Sequence, residues 1–151
     1  MYEYIQYFFP LVLGWFFAQV PKFIYTVLTK HPKNLFQTLM SSGGMPSTHT
    51  ASVTALVTRI AFHEEFKGPL FALALVFAVV TMYDAFNVRL ACGHTIERVN
   101  QITEKLYAGD EDKPKPLPLT KGHTFPEVAV GFCIGVAVGV VYSLIEAHIM
   151  G

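Results

Sequence analysis

The sequence predicts an all-α protein: an integral membrane helical bundle with about four spanning helices, forming one domain over residues 1–151. Two observations carry that expectation. Hydrophobic residues make up 52% of the chain and charged ones only 15%, an oily balance for a protein of this size. The apolar residues are also gathered into long runs, separated by short polar connections in which most of the charges collect. The formal net charge is zero, so no global field draws the chain to nucleic acid, and basic-aromatic interleaving is absent.

Residues 4–29 open aromatic and stay apolar, with Gln6, Gln19 and Lys22 as the strongly polar members. The first positive charge follows the apolar run, the reverse of a secretory leader, so the run reads as a membrane helix with a bend expected at Pro10. Pro21 makes a local break plausible beside Lys22. Residues 51–62, extended back to Pro46, barely reach the roughly 17 residues a spanning helix needs. His63 to Pro69 is a polar turn with His63 solvated, and 69–85 is the cleanest span, uncharged until Asp84. Residues 90–121 read as a polar connection, flexible over 108–115, where proline spacing discourages helix. From 126 to 149 the chain is apolar again. Gly131, Gly135 and Gly139 recur there at every fourth position, a smooth face that invites close helix packing.

The polar chemistry concentrates in three places. Ser42-Gly-Gly-Met-Pro-Ser-Thr-His49 is a glycine turn feeding a helix. Gly43 and Gly44 let the main chain approach a ligand, Ser47 suits a helix cap, and His49 falls in the first turn, where free amides and the helix dipole favour an anion. Lys121-Gly-His-Thr-Phe-Pro-Glu127 sets His123 and Glu127 four residues apart, so a carboxylate can hold one ring nitrogen and leave the other free to attack or to accept a proton. Between them, Asp84 and Arg89 sit at the end of the cleanest span. An ionisable residue there is a functional candidate, with an interfacial cap as the bland alternative. Lys22 has two readings, a snorkelling anchor or a phosphate ligand. Cys92 and Cys133 fit neither a metal pattern nor a disulfide framework, and no metal or other cofactor is expected.

On these residues the chain resembles the divergent branch of the type 2 phosphatidic acid phosphatases, relatives of acid phosphatases and vanadium-dependent haloperoxidases. The likeness runs from Ala18-Gln-Val-Pro-Lys-Phe23 through the glycine turn and Tyr83-Asp-Ala85 to Gly122-His-Thr-Phe-Pro-Glu-Val128. Pro46-Ser47-Thr48-His49 matches the family's Pro-Ser-Gly-His with threonine for glycine, and His123 with Glu127 matches its final His and Asp with glutamate for aspartate. Arg89 is the stand-in for the family arginine across an inserted stretch. Lys22 stands for the first-motif lysine, although no arginine-proline follows it.

The resemblance implies a phosphatase/haloperoxidase-like fold and a metal-independent, vanadate-sensitive phosphatase. In it His123 attacks phosphorus and carries it as a phosphohistidine, and His49 protonates the leaving alkoxide. Lys22, Gly43, Gly44, Ser47, Asp84 and Arg89 form the phosphate-binding set. The substrate implied is a lipid phosphate: phosphatidylglycerophosphate-like, phosphatidate or isoprenoid. A non-catalytic scaffold or phospholipid-binding protein is the alternative, favoured by the departures at Thr48, Glu127 and the arginine spacing. A transporter is disfavoured because ionisable residues collect at one end of the spans. Nine of the eleven basic residues lie on the candidate-site side, which places the site at the cytoplasmic face of a bacterial-type inner membrane. A homodimer packed through the glycine face of 126–149 is expected, with packing inside the subunit as the competing reading.

Overall fold

The computed structural model describes residues 2–30, 44–110, 112–119 and 122–150. Helix α1 (Tyr2–Lys30) is followed by α2 (Thr48–His63) and α3 (Gly68–Tyr83). A π-helical segment, Asp84–Val88, joins α3 to α4 (Arg89–Leu106), and α5 (Phe125–Met150) ends the bundle. No strand occurs among the described residues, so the all-helical membrane bundle expected from the sequence is the observed architecture. Among the described residues, three stretches are long and apolar enough to cross a membrane: Ile5–Leu28, Gly68–Leu106 and Phe125–Ile149. The expected fourth span, α2, has only 16 residues, about 24 Å against a hydrocarbon core of about 30 Å.

Helix α2 is instead the centre of the bundle. It packs against α1, α3 and α5, and Thr48, Thr50, Ala51, Ser52, Val53, Thr54 and Ala55 are all buried. Its small residues let neighbouring backbones come close, which is how helices associate where lipid gives no hydrophobic drive. The α5 glycines meet α2 in step. A methyl group on Gly131 would stand 2.5 Å from the Ser47 carbonyl oxygen, one on Gly135 2.5 Å from that of Ala51, and one on Gly139 2.8 Å from that of Ala55. Gly14 of α1 approaches from the other side, where a methyl would lie 2.6 Å from the Ala51 carbonyl oxygen. The smooth face assigned above to a homodimer is therefore filled by α2 of the same chain.

Two further expectations change. Helix α1 continues through Pro10 and Pro21, so the break expected beside Lys22 is absent. Residues 90–106, read as part of the connection, instead belong to a helix, Arg89–Leu106, continuous with α3 through the π segment. Cys92, Ile96, Val99 and Leu106 repeat there at helical spacing, a stripe that the high polar content obscures. The returning chain is pinned along α4 by Asn100, which accepts from the Leu117 N–H at 2.8 Å and donates to the Leu117 carbonyl at 3.0 Å.

At the end of the bundle away from His49, Arg59 is only 5% exposed. It pairs with Glu146 of α5 and donates to Gln6 Oε1 of α1 at 2.8 Å. Its guanidinium lies 5.9 Å from the ring centres of both Tyr7 and Tyr142, and the Tyr7 hydroxyl meets His63 Nδ1 at 3.0 Å. This cluster bolts three helices together. Arg59→Met alone is expected to destabilise the fold by about 2–4 kcal/mol, because it strands a half-buried carboxylate, and adding Glu146→Leu should restore most of that loss. Thermal unfolding of the two variants in detergent checks both statements.

Candidate functional site

Four chain segments converge at the other end. Gly44 has φ of +80°, a left-handed backbone that favours glycine. A methyl group on Gly44 would come 3.6 Å from Lys22 Cε, so the turn is seated on the lysine stem. Lys22 is 8% exposed; its side chain folds into the bundle, which removes the snorkelling reading. Gly43 lies outside the described residues, as does Lys121.

Ser47 is completely buried, and it does something other than cap a helix with its side chain. Its hydroxyl accepts from Thr50 Oγ1 at 2.9 Å, and its N–H donates to the Glu127 carbonyl at 3.0 Å. Ser47 thus ties the start of α2 to the start of α5. His49, two residues on, is exposed at the site opening. Partial desolvation, followed by the charges of Arg89 and Lys22, pushes its imidazole below the usual histidine range.

The start of α5 builds the second histidine. Glu127 takes the third helical position and its Oε2 reaches back to the Thr124 N–H at 2.9 Å, half of a capping box. The same oxygen lies 3.3 Å from His123 Nδ1. His123 is 7% exposed, and burial lowers its pKa, with Glu127 opposing and the Lys22 and His49 charges adding to the fall. The ring is therefore neutral near pH 7. With Nδ1–H turned to the carboxylate, the lone pair sits on Nε2.

The π segment supplies the remaining pieces. The His123 N–H donates to the Ala85 carbonyl at 2.9 Å, so the wide turn serves as a backbone anchor for the histidine. Single wide turns of this kind are frequent at functional sites. Asp84 Oδ2 accepts from Arg89 Nε at 2.5 Å, which makes the aspartate a holder of the arginine. Gly122 was missed as a site residue. A methyl there would overlap the backbone of Leu90 and Arg89, so only glycine lets the His123 segment lie against the head of α4. Its place directly before His123 was the available signal. Thr50, which braces Ser47, gave none.

Lys22, Gly44, Ser47, His49, Asp84, Arg89, His123 and Glu127 are thus gathered at one end of the bundle. A neutral imidazole backed by a carboxylate, beside a second histidine, a lysine and an arginine, can attack and stabilise a phosphoryl group.

Comparison with known proteins gives the family. The chain matches the family described as "Divergent PAP2 family" over residues 5–138. It is 34% identical over 114 residues to a Bacillus subtilis (strain 168) protein named "Uncharacterized membrane protein YuiD", covering 68% of this chain and 72% of that relative. No solved structure matches. A family match across most of the chain, joined to a helical membrane bundle and the paired histidines, means that this protein belongs to the divergent PAP2 family.

Proposed function

We propose that the protein hydrolyses the phosphate ester of a membrane lipid through a phosphohistidine on His123. The observation that carries this reading is the His123–Glu127 pair facing Lys22 and His49, with Arg89 in turn close enough to act on His49. His123 Nε2 forms a bond to phosphorus as the phosphorus–alkoxide oxygen bond breaks, and His49 gives its proton to the departing alkoxide. His49, now neutral, takes a proton from water, which attacks the phosphohistidine. Inorganic phosphate leaves and both histidines return to their starting forms. Lys22 and Arg89 balance the charge on the equatorial oxygens. Ser47 supports the site through its bonds to Thr50 and Glu127.

A location near the ends of α1 and α3 and at the start of α5 suits a phosphate at the headgroup level with its chains in lipid. The excess of basic residues on this side supports a cytoplasmic face and, among cytoplasmic lipids, a phosphatidylglycerophosphate-like substrate. Purified protein in detergent should release inorganic phosphate from lipid phosphates in the presence of a metal chelator. Vanadate, which imitates the five-coordinate transition state, should inhibit competitively. Loss of the rate in chelator with recovery in magnesium would overturn the metal-independent mechanism. Saturable vanadate binding without turnover on any lipid would favour a phospholipid-binding protein. The buried, already bonded Ser47 hydroxyl is the observation on that side.

A further inference from the structure

Helices α3 and α5 both pack on α2 or run beside it, and α5 meets the π segment at the level of the site. Between them lies a cavity of about 380 Å³. Val79 and Met82 of α3 form one wall, Ala129 and Cys133 of α5 the other, and Phe86 and Phe125 stand at its head. Those two rings meet edge to face, with centres 5.9 Å apart. Phe86 lies between Asp84 and Arg89 in sequence, and Phe125 is two residues beyond His123. The head of the groove is therefore built from the same two segments as the candidate site. From Phe125 to Cys133 it follows α5 for about 12 Å, most of one leaflet of a hydrocarbon core about 30 Å thick.

We propose that this groove holds one hydrocarbon chain of the phosphate-bearing lipid, and that Ala129 and Cys133 set the chain it accepts. The proposal rests on the phosphatase reading for the identity of the headgroup. Three observations select this occupant. The lining is apolar along its length. The groove lies between two stretches that meet the requirements of membrane spans, so hydrocarbon is its surrounding solvent. Its head is continuous with the residues that would hold the phosphate, so a bound headgroup fixes where the attached chain begins. A chain passing from lipid into the groove gains no hydrophobic drive, because lipid tails are as apolar as its walls. What remains is shape. The groove should therefore act on chain preference more than on total affinity, with room for a single tail beside each phosphate.

Two measurements test this, one of them independent of turnover. The chain has one tryptophan, Trp15, so Trp15→Phe with Phe132→Trp leaves a single reporter at the groove. In phosphatidylcholine bilayers, a few mole per cent of a lipid phosphate monoester brominated on its chain should quench that reporter saturably. Excess inorganic phosphate should reverse the quenching, and brominated phosphatidylcholine should quench only in proportion to its amount. Equal, linear quenching by both lipids would show bulk lipid in the groove and overturn the proposal. In the activity arm, Ala129→Phe and Cys133→Trp should each lower the ratio of kcat/KM for a long-chain over a short-chain phosphate ester at least tenfold. An unchanged ratio in both variants would also overturn it. Saturable quenching without turnover would defeat the phosphatase reading and keep the groove assignment. Turnover with linear quenching would do the reverse.

Discussion

His123→Ala is expected to eliminate phosphate release while leaving the bundle folded. In the proposed mechanism the imidazole is the group that bonds to phosphorus, and among the described residues no other side chain near it is a neutral nucleophile braced by a carboxylate. His49→Ala should lower the rate at least about a hundredfold, or roughly 2.7 kcal/mol of barrier, the scale of a lost general acid. The pH profile separates the two roles. His123 must be unprotonated to attack, so the rate falls as pH drops through its pKa, which burial holds below the usual value of about 6.5. His49 must be protonated to serve as acid. Its pKa is also lowered, by desolvation and by Arg89 and Lys22, so kcat/KM falls as pH rises through that value. The kcat/KM maximum is thus expected below about pH 6.5. A bound phosphate neutralises Lys22 and Arg89, so the alkaline limb of kcat should lie higher than that of kcat/KM. Turnover in His123→Ala near the parent rate, or a maximum well above pH 7, would refute the assignments.

Gly135→Leu is expected to abolish the folded protein outright. A glycine stripe facing a second copy would tolerate leucine and lose only its partner. Here the first carbon of the new side chain would already stand 2.5 Å from the Ala51 carbonyl oxygen and 2.7 Å from Thr54 Cβ. The obstacle is main chain of the central helix, which has no rotamer to change, so the loss should exceed the ~3 kcal/mol at the upper end of ordinary overpacking. Recovery of monodisperse protein with an unchanged unfolding temperature in detergent would contradict the packing described.

Much of the site was legible because its chemistry is local in sequence. The four-residue spacing of His123 and Glu127 implies one turn of helix, and the glycine turn before His49 reads as a helix entry. What sequence could not convey is what each group meets from another element. Gly131, Gly135 and Gly139 announce a close approach, but the stripe is the same whether the partner is α2 or another subunit. Ser47 reads as a cap and phosphate ligand, yet its bonds run to Thr50 and across to Glu127. Arg59 resembles a charge at a helix end until Glu146 and Gln6 arrive from 87 and 53 residues away in sequence. The π turn at Asp84–Val88 has no sequence signature of its own, and the polar surface of α4 concealed its helical repeat.

The shortness of α2 bears on headgroup size. Helix α1 continues about 12 Å beyond Lys22 and α4 about 25 Å beyond Arg89, whereas α2 begins only at Thr48. The two histidines consequently lie at the floor of a collar, below the ends of the flanking helices. The central element, about 24 Å long, is shorter than a hydrocarbon core of about 30 Å, so that floor lies within the depth covered by the flanking helices. On the proposed mechanism, a scissile phosphate would reach the histidines by descending to that floor. Such a collar is expected to accept a phosphate with little attached above it and to turn away a bulky, sugar-bearing headgroup, whatever chain lies beneath.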